Sequence, residues 1–312
     1  SLFADDTHIG RKVKDEDDVE SLQQDLLKLY KWQEDNHMLF NSSKFEVLRY
    51  GKNQSLKEST SYLTPNYEDI IEEKEVLRDL GVMMSNDASF SSHVEQVCSK
   101  VRQKSSWILR TFQSRRTWFL KFMWKTLVQG HIDYCSQLWF PSKPADLEKI
   151  ENLQRVFTRK IPEVSHMNYW ERLAHLKMYS QERRLERYRA LYVWKIIEGL
   201  SPNCGLNTSW SERRGREVII PSIKGTGKVQ TLREGSFQIH GARLFNSLPQ
   251  SIRNMKKVSI DEFKEKLDLH LQSLPDEPKF ANYIPSASKQ TDASPSNSII
   301  DQAKSVRTRR PG

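Results

Sequence analysis

Leu2-Phe3-Ala4-Asp5-Asp6-Thr7-His8-Ile9 is the stretch on which the reading of this chain turns. An apolar pair, a small residue, two adjacent acids and a second apolar-capable run read as strand, tight turn and strand over residues 1–14. The carboxylates of Asp5 and Asp6 would then crowd negative charge at a hairpin tip. Hard cations such as Mg²⁺ take oxygen ligands, and nucleotide-transfer sites hold two of them about 4 Å apart. One activates an attacking 3′-hydroxyl and the other steadies the leaving pyrophosphate. An Asp-Asp turn is also an ordinary surface feature, so the tetrapeptide alone leaves both readings open.

Outward from the hairpin, Asp15, Glu16, Asp17 and Asp18 suit a helix start, where carboxylates meet the positive dipole end. The charge run itself reads as solvated. Val19, Leu22, Leu26, Leu29 and Tyr30 recur at helical spacing, predicting a helix to about residue 37. Phe45 to Tyr50 reads as a strand ended by Gly51. Residues 52–74 read as irregular and acidic, with Tyr62–Leu63 and Ile70–Ile71 as short strands. Glu75 to Met84 reads as a hairpin edge, with Gly81 in a turn that needs positive φ.

The character changes at Ser91. Between Gln96 and Ile132 there is no acidic residue, while Lys100, Arg102, Lys104, Arg110, Arg115, Arg116, Lys121 and Lys125 interleave with Trp107, Phe112, Trp118, Phe119, Phe122 and Trp124. Cations neutralise phosphates and aromatic faces stack on bases. Arg115, Arg116, Lys121 and Lys125 are expected to contact phosphate, with Arg110 on the same stretch. Phe119, Phe122 and Trp124 are expected in the core. A helix over Pro144 to Ile161 carries Arg155 and Arg159 on one face, extending the track. Residues 169–199 read as helical, with Leu185, Tyr188, Leu191, Tyr192 and Ile196 buried, Arg183, Arg184, Arg187 and Arg189 wet, and Gly199 as the stop. Val218–Pro221 and Val229–Leu232 read as short strands, and Ile260 to Leu271 as a last helix. Residues 276–312, rich in Pro and Ser, are expected to be disordered.

The composition frames these motifs. The chain has 312 residues, a net charge of +9, 29% charged and 37% hydrophobic residues, and 8 Trp, 10 Tyr and 13 Phe, which excludes a wholly disordered chain. With no run of 18 apolar residues, a membrane span and a membrane partner are not expected. Three scattered cysteines make neither a disulfide framework nor a zinc pattern, so zinc is not expected and a nuclear or cytoplasmic, non-secreted protein is. His131 near Asp133 reads as a structural contact rather than a catalytic base.

In order, Phe3-Ala4-Asp5-Asp6, an amphipathic helix, Phe40-Asn41-Ser42-Ser43-Lys44-Phe45-Glu46-Val47, Asp79-Leu80-Gly81-Val82 and a basic helical region resemble the reverse transcriptases of non-LTR retrotransposons of the jockey-like LINE group. The likeness extends through Tyr134-Cys135-Ser136-Gln137-Leu138-Trp139, Glu151 to Arg159, Tyr169-Trp170-Glu171-Arg172-Leu173 and Gly241 to Pro249, covering roughly residues 1–275. The resemblance implies that Asp5 and Asp6 are metal-binding aspartates of the palm hairpin and that Lys44 protonates the leaving pyrophosphate. It makes Leu80-Gly81-Val82 the primer grip.

It further implies an α+β chain: a partial polymerase palm over 1–90, a basic helical thumb over 91–165, a mostly helical C-terminal region with a small β insert over 166–275, and the tail. The implied partners are an RNA template, a DNA primer and deoxynucleotides, with two Mg²⁺ in the intact polymerase. The family's upstream blocks, including a third metal-binding aspartate, would precede Ser1. The expectation is therefore a C-terminal fragment that does not polymerise DNA by itself. The alternatives are a non-enzymatic nucleic-acid-binding remnant and a decayed reading frame.

Overall fold

A computed structural model of the chain describes all residues except Ser1, Ala4, Asp5, Lys52, 65–68, Ser142, Lys224, 278–296 and 309–312. It is a mixed α+β structure, mostly helical, with small two-stranded sheets. The chain divides into two compact units, residues 1–92 and 93–312, so the division falls where the sequence changes character near Ser91.

In the first unit, β1 (Leu2–Phe3) and β2 (Asp6–Thr7) pair antiparallel, with Phe3 opposite Asp6. The acidic run opens α1 (Glu16–Asp35) as its composition predicts: Asp15 caps it by accepting the Asp18 N–H at 3.0 Å. The apolar stripe of α1 packs Val19 with Tyr62, Ile71, Leu22, Leu26, Phe45 and Val47. Tyr30, 2% exposed, donates its hydroxyl to the Leu63 carbonyl at 3.0 Å. The strand expected over 45–50 shortens to β3 (Glu46–Val47), paired in parallel with β4 (Glu72–Glu73). Just past β3, the Arg49 guanidinium donates to the Thr60 carbonyl at 2.8 Å and lies 3.4 Å from Glu73. The stretch read as irregular contains a short helix, α2 (Gln54–Ser59), capped by Asn53. Leu63 and Ile70 form an isolated bridge rather than two strands. β5 (Val76–Asp79) and β6 (Val82–Ser85) make the expected hairpin.

The second unit is helical around one central element. α3 (Ser91–Thr111) buries Val94, Val97, Val101 and Ile108 on the expected face. α4 (Thr117–Met123) runs through a π-helical turn at 124–128 into α5 (Gln129–Asp133), and α6 (Ser136–Trp139) and α7 (Pro144–Thr158) follow. The helical span read over 169–199 is two helices, α8 (Tyr169–Leu176) and α9 (Gln181–Ile197). Lys177, at φ +50°, turns the chain between them, and α8 starts in a full capping box between Asn168 and Glu171. β7 (Thr208–Ser211) and β8 (Gly215–Val218) form a hairpin. The strand expected at Val229–Leu232 lies instead within α10 (Gly227–Gly235), whose residues are not buried, so nothing there demands a strand's half-buried surface. A π-helical turn at 237–241 leads into α11 (Ala242–Ser247), and α12 (Gln250–Arg253) and α13 (Ile260–Gln272) complete the region.

α9 packs against α6, α7 and α11, and none of its residues is exposed. Trp194 stacks on Phe263 of α13 at 4.2 Å and 10°, and both are fully buried. The expectation of four solvated arginines on α9 is corrected here. Arg183 and Arg189 are fully buried. Arg189 donates to the Gln137 carbonyl at 3.1 Å, the Gly235 carbonyl at 3.2 Å and His240 Nδ1 at 2.9 Å, and lies 4.7 Å over the Phe140 ring. Burial and the adjacent Arg189 and Arg243 hold the His240 pKa down to about 3, so its ring is the acceptor. Arg184 grips Asp133 through two bonds at 2.9 and 2.7 Å, and Arg187 grips Asp268 at 2.5 and 2.7 Å. The planar guanidinium fork lets a buried helix face carry charge by matching carbonyls and carboxylates.

The tail is also corrected. Within the segment expected to be disordered, α14 (Ile299–Thr308) forms, and Ile299 enters the unit's core at 1% exposure. Buried Glu186 holds the start of α14, accepting the Ile299 N–H at 3.1 Å and the Ser298 hydroxyl at 2.8 Å. The Ile299-Ile300 pair supplies the apolar anchor that the surrounding Pro/Ser composition conceals.

Candidate functional site

The acid-bearing hairpin of the first unit does not stand alone. His8, one residue past β2, approaches Asp79 with Nε2 to Oδ1 at 3.4 Å. Asp79 closes the β5–β6 hairpin opposite Val82. The two-residue turn between them is Leu80-Gly81, with φ +43° and +86°. Both values lie in the left-handed region, as a type I′ hairpin turn requires. Glycine enters that region freely, but a leucine pays steric strain of about 1–2 kcal/mol there. Leu80 is nonetheless 42% exposed, so burial of its side chain does not explain the choice. Burial and then the Asp79 carboxylate push the phenol of Tyr50, the last residue of the strand expected over 45–50, up from its ordinary value, so it feels the same aspartate.

Of the residues singled out from sequence, Asp5 lies outside the described residues. Asp6 is exposed on β2, opposite Phe3. Lys44 is the last residue of a short 3₁₀ turn, Ser42–Lys44, which Asn41 caps, and it is exposed. It shares no hydrogen bond or ion pair with Asp6. Among the described residues no group of three or more His, Cys, Asp or Glu side chains comes together to hold a metal ion. Asp6 alone is a single oxygen ligand and falls short of the set that Mg²⁺ takes. His8, Tyr50 and Asp79 were not among the expected site residues; the closing position of Asp79 beside Leu-Gly was the available signal.

The basic track of the second unit sorts into two sets. Arg110 at the end of α3, Arg116 at the start of α4, Lys125 on the π turn and Arg159 just past α7 are exposed. The other three cations are engaged by the fold. Arg115 folds back on the end of α3, donating to the Leu109 carbonyl at 2.6 Å, the Ser114 carbonyl at 3.3 Å and the Phe112 carbonyl. Lys121 donates to the Leu176 carbonyl at the end of α8, and burial, with Lys125 and Lys177 nearby, holds its pKa below the usual lysine range. Arg155 grips its own helix neighbour Asn152 at 2.8 and 3.1 Å. Helix C-termini carry orphan carbonyls and negative dipole, so cations adjacent to them are drawn in.

The aromatics also divide. Trp124 is in the core at 1% exposure, donating Nε1–H to Gln129 at 2.8 Å. Phe119 is half-buried. Phe122, expected in the core, is 56% exposed, because Leu120, Met123 and Trp124 form the inner face of α4 and its extension. Trp118 is 64% and Trp107 44% exposed. Edge-to-face contacts join Trp107 to Phe112 at 5.7 Å, Phe112 to Phe119 at 5.4 Å and Phe119 to Trp118 at 5.7 Å, making one continuous aromatic surface. An open cleft of about 560 Å³ adjoins it, lined by Arg116, Thr117, Trp118, Lys121 and Glu163. Glu163, from a 3₁₀ turn at Pro162–Val164, accepts the Thr117 hydroxyl. The field that is acid-free along the sequence therefore has a carboxylate folded into it.

No family model, no curated protein and no solved structure matches the chain.

Proposed function

We propose that this chain is the C-terminal part of an RNA-directed DNA polymerase of the non-LTR retrotransposon type. The parent reaction adds deoxynucleotides to a 3′-hydroxyl on an RNA template. The observation that carries the proposal is the meeting of the Asp6-bearing hairpin with the Leu80-Gly81 turn through His8 and Asp79 at 3.4 Å. A polymerase needs its acidic hairpin and its primer-holding turn side by side, since positioning supplies much of the rate enhancement in phosphoryl transfer. The strained Leu80 supports the same reading, because left-handed non-glycine residues gather at functional turns. In this proposal Asp5 and Asp6 are metal ligands and Lys44 serves the leaving group. The remaining carboxylates and the template-holding parts come from polypeptide outside these 312 residues.

The test supplies that polypeptide. Purified chain is mixed with a separately made segment carrying the upstream palm and fingers blocks of a jockey-like element, on a primed RNA template with Mg²⁺. Deoxynucleotide incorporation is expected only from the mixture, and is expected to disappear in D5A and in D6A. Incorporation by the chain alone, lost in D5A, would overturn the dependence on outside carboxylates.

A second reading is favoured by the four exposed cations and the exposed Trp118 and Phe122: a non-enzymatic nucleic-acid-binding remnant that acts through residues 93–312. Salt-sensitive binding with no incorporation in the mixture would select it.

A further inference from the structure

We propose that the α4 cleft holds a single unpaired nucleobase of a nucleic-acid strand, stacked on Trp118, with its amino edge on Glu163 and its phosphate over Arg116. This rests on the nucleic-acid reading given above and narrows it, since a cation track by itself would serve a duplex equally well.

Three observations converge on the cleft. Its volume of about 560 Å³ is in the range of small-ligand sites and exceeds what a bare phosphate contact needs. Its apolar wall is an indole left 64% exposed, a large apolar face with no protein partner over most of its area. Base stacking on such a face is tolerant of sequence and is open only to bases that have left the duplex stack.

The third observation is the carboxylate. Glu163 is a poor neighbour for a phosphate but a good acceptor for an exocyclic amine, as acidic side chains are for cytosine N4. The Thr117 hydroxyl fixes it in place. Uracil and thymine offer a carbonyl at that position and would face the carboxylate acceptor to acceptor. Arg116 at the start of α4 and Lys125 on the π turn provide the positive rim that a strand's phosphates require. The neighbouring exposed Phe122, four residues on from Trp118, extends the platform along the same helix face.

The experiment is fluorescence anisotropy of the full chain at low salt with labelled single strands of about twelve nucleotides. Oligocytidylate and oligouridylate are compared as RNA and as DNA, beside a duplex of the same length. Oligocytidylate should bind about fivefold tighter than oligouridylate, the worth of one hydrogen bond. W118A should weaken single-strand binding about tenfold and leave duplex binding unchanged, while W118F restores most of it. E163A should erase the preference for cytosine. The RNA and DNA arms show which sugar the strand carries.

Equal losses of single-strand and duplex binding in W118A, or no loss in either, would overturn the proposal. So would a self-association of the chain that W118A abolishes without altering binding. If duplex binds and single strands do not, this inference fails while the nucleic-acid reading stands. If neither binds, both fail.

Discussion

Residues 1–92 and 93–312 are built on different scales of cohesion. The first unit has a small apolar cluster around Val19, Tyr62 and Ile71, and among its described residues two of three sheets are ladders of two-residue strands. The second packs α9 against α6, α7 and α11, stacks Trp194 on Phe263, and draws even α14 into its core. Isolated two-stranded ladders are marginal in water, whereas a helix packed against several others takes its stability from those neighbours. The acidic hairpin and the strained Leu80 turn belong to the less cohesive unit, and the aromatic–cation surface to the more cohesive one. In the function proposed above, the first unit would supply the reactive groups and the second the platform for a polyanion.

The largest expected effect tests that cohesion directly. W194A removes a fully buried ring and should destabilise the second unit by about 4 kcal/mol. Hydrogen exchange read by mass spectrometry should show the loss in peptides from α9 and α13, with peptides from residues 1–92 unmoved. If both units lose protection together, they are one cooperative body and the comparison collapses.

A pH effect comes next. Burial raises the Glu151 pKa to about 8, against the pull of the Tyr169 hydroxyl and Gln181 N–H that it accepts. Folded Glu151 keeps its proton to about pH 8, whereas the unfolded chain loses it near its ordinary value of 4.5. The folded state therefore binds more protons between those limits, and stability falls as pH rises through that window. Glu186, also raised to about 8 by burial, adds to the same slope. Denaturant unfolding of the second unit should weaken by a few kcal/mol between about pH 5 and 8. E151Q should flatten part of that fall. An unchanged slope would show that Glu151 is not the protonated group.

Two smaller effects address the first unit alone. L80N gives the turn a residue suited to left-handed backbone, and should stabilise residues 1–92 by about 1 kcal/mol. In the reconstituted polymerase mixture the same change should lower incorporation, if Leu80 touches the primer. D15A removes the cap of α1 and should cost about 1 kcal/mol, visible as faster exchange in the first turn of α1. A shift in peptides of the second unit from either variant would contradict independent cohesion.

Much of this fold was legible along the chain. The acidic start and apolar stripe of α1, the Leu80-Gly81 hairpin, the buried face of α3, Pro144 opening α7 and Gly199 closing α9 all follow from local rules that need no tertiary information. The candidate site was half legible. The motif order pointed to Asp6 and to the turn at Leu80, but not to His8 or Tyr50, whose link to Asp79 spans distant segments.

What the sequence by itself determined is the set of elements, because capping, turn chemistry and periodicity act between near neighbours. Only the tertiary structure decided what each polar side chain does. Arg183 and Arg189 look solvated in any window of sequence, yet lie fully buried among carbonyls from distant residues such as Pro275 and Gln137. Glu163 enters a field that is free of acids along the chain, and Phe122 leaves the core its spacing suggested. A guanidinium or a carboxylate is satisfied by whatever donor or acceptor arrives through space, and the order of residues along a chain does not record which one that will be.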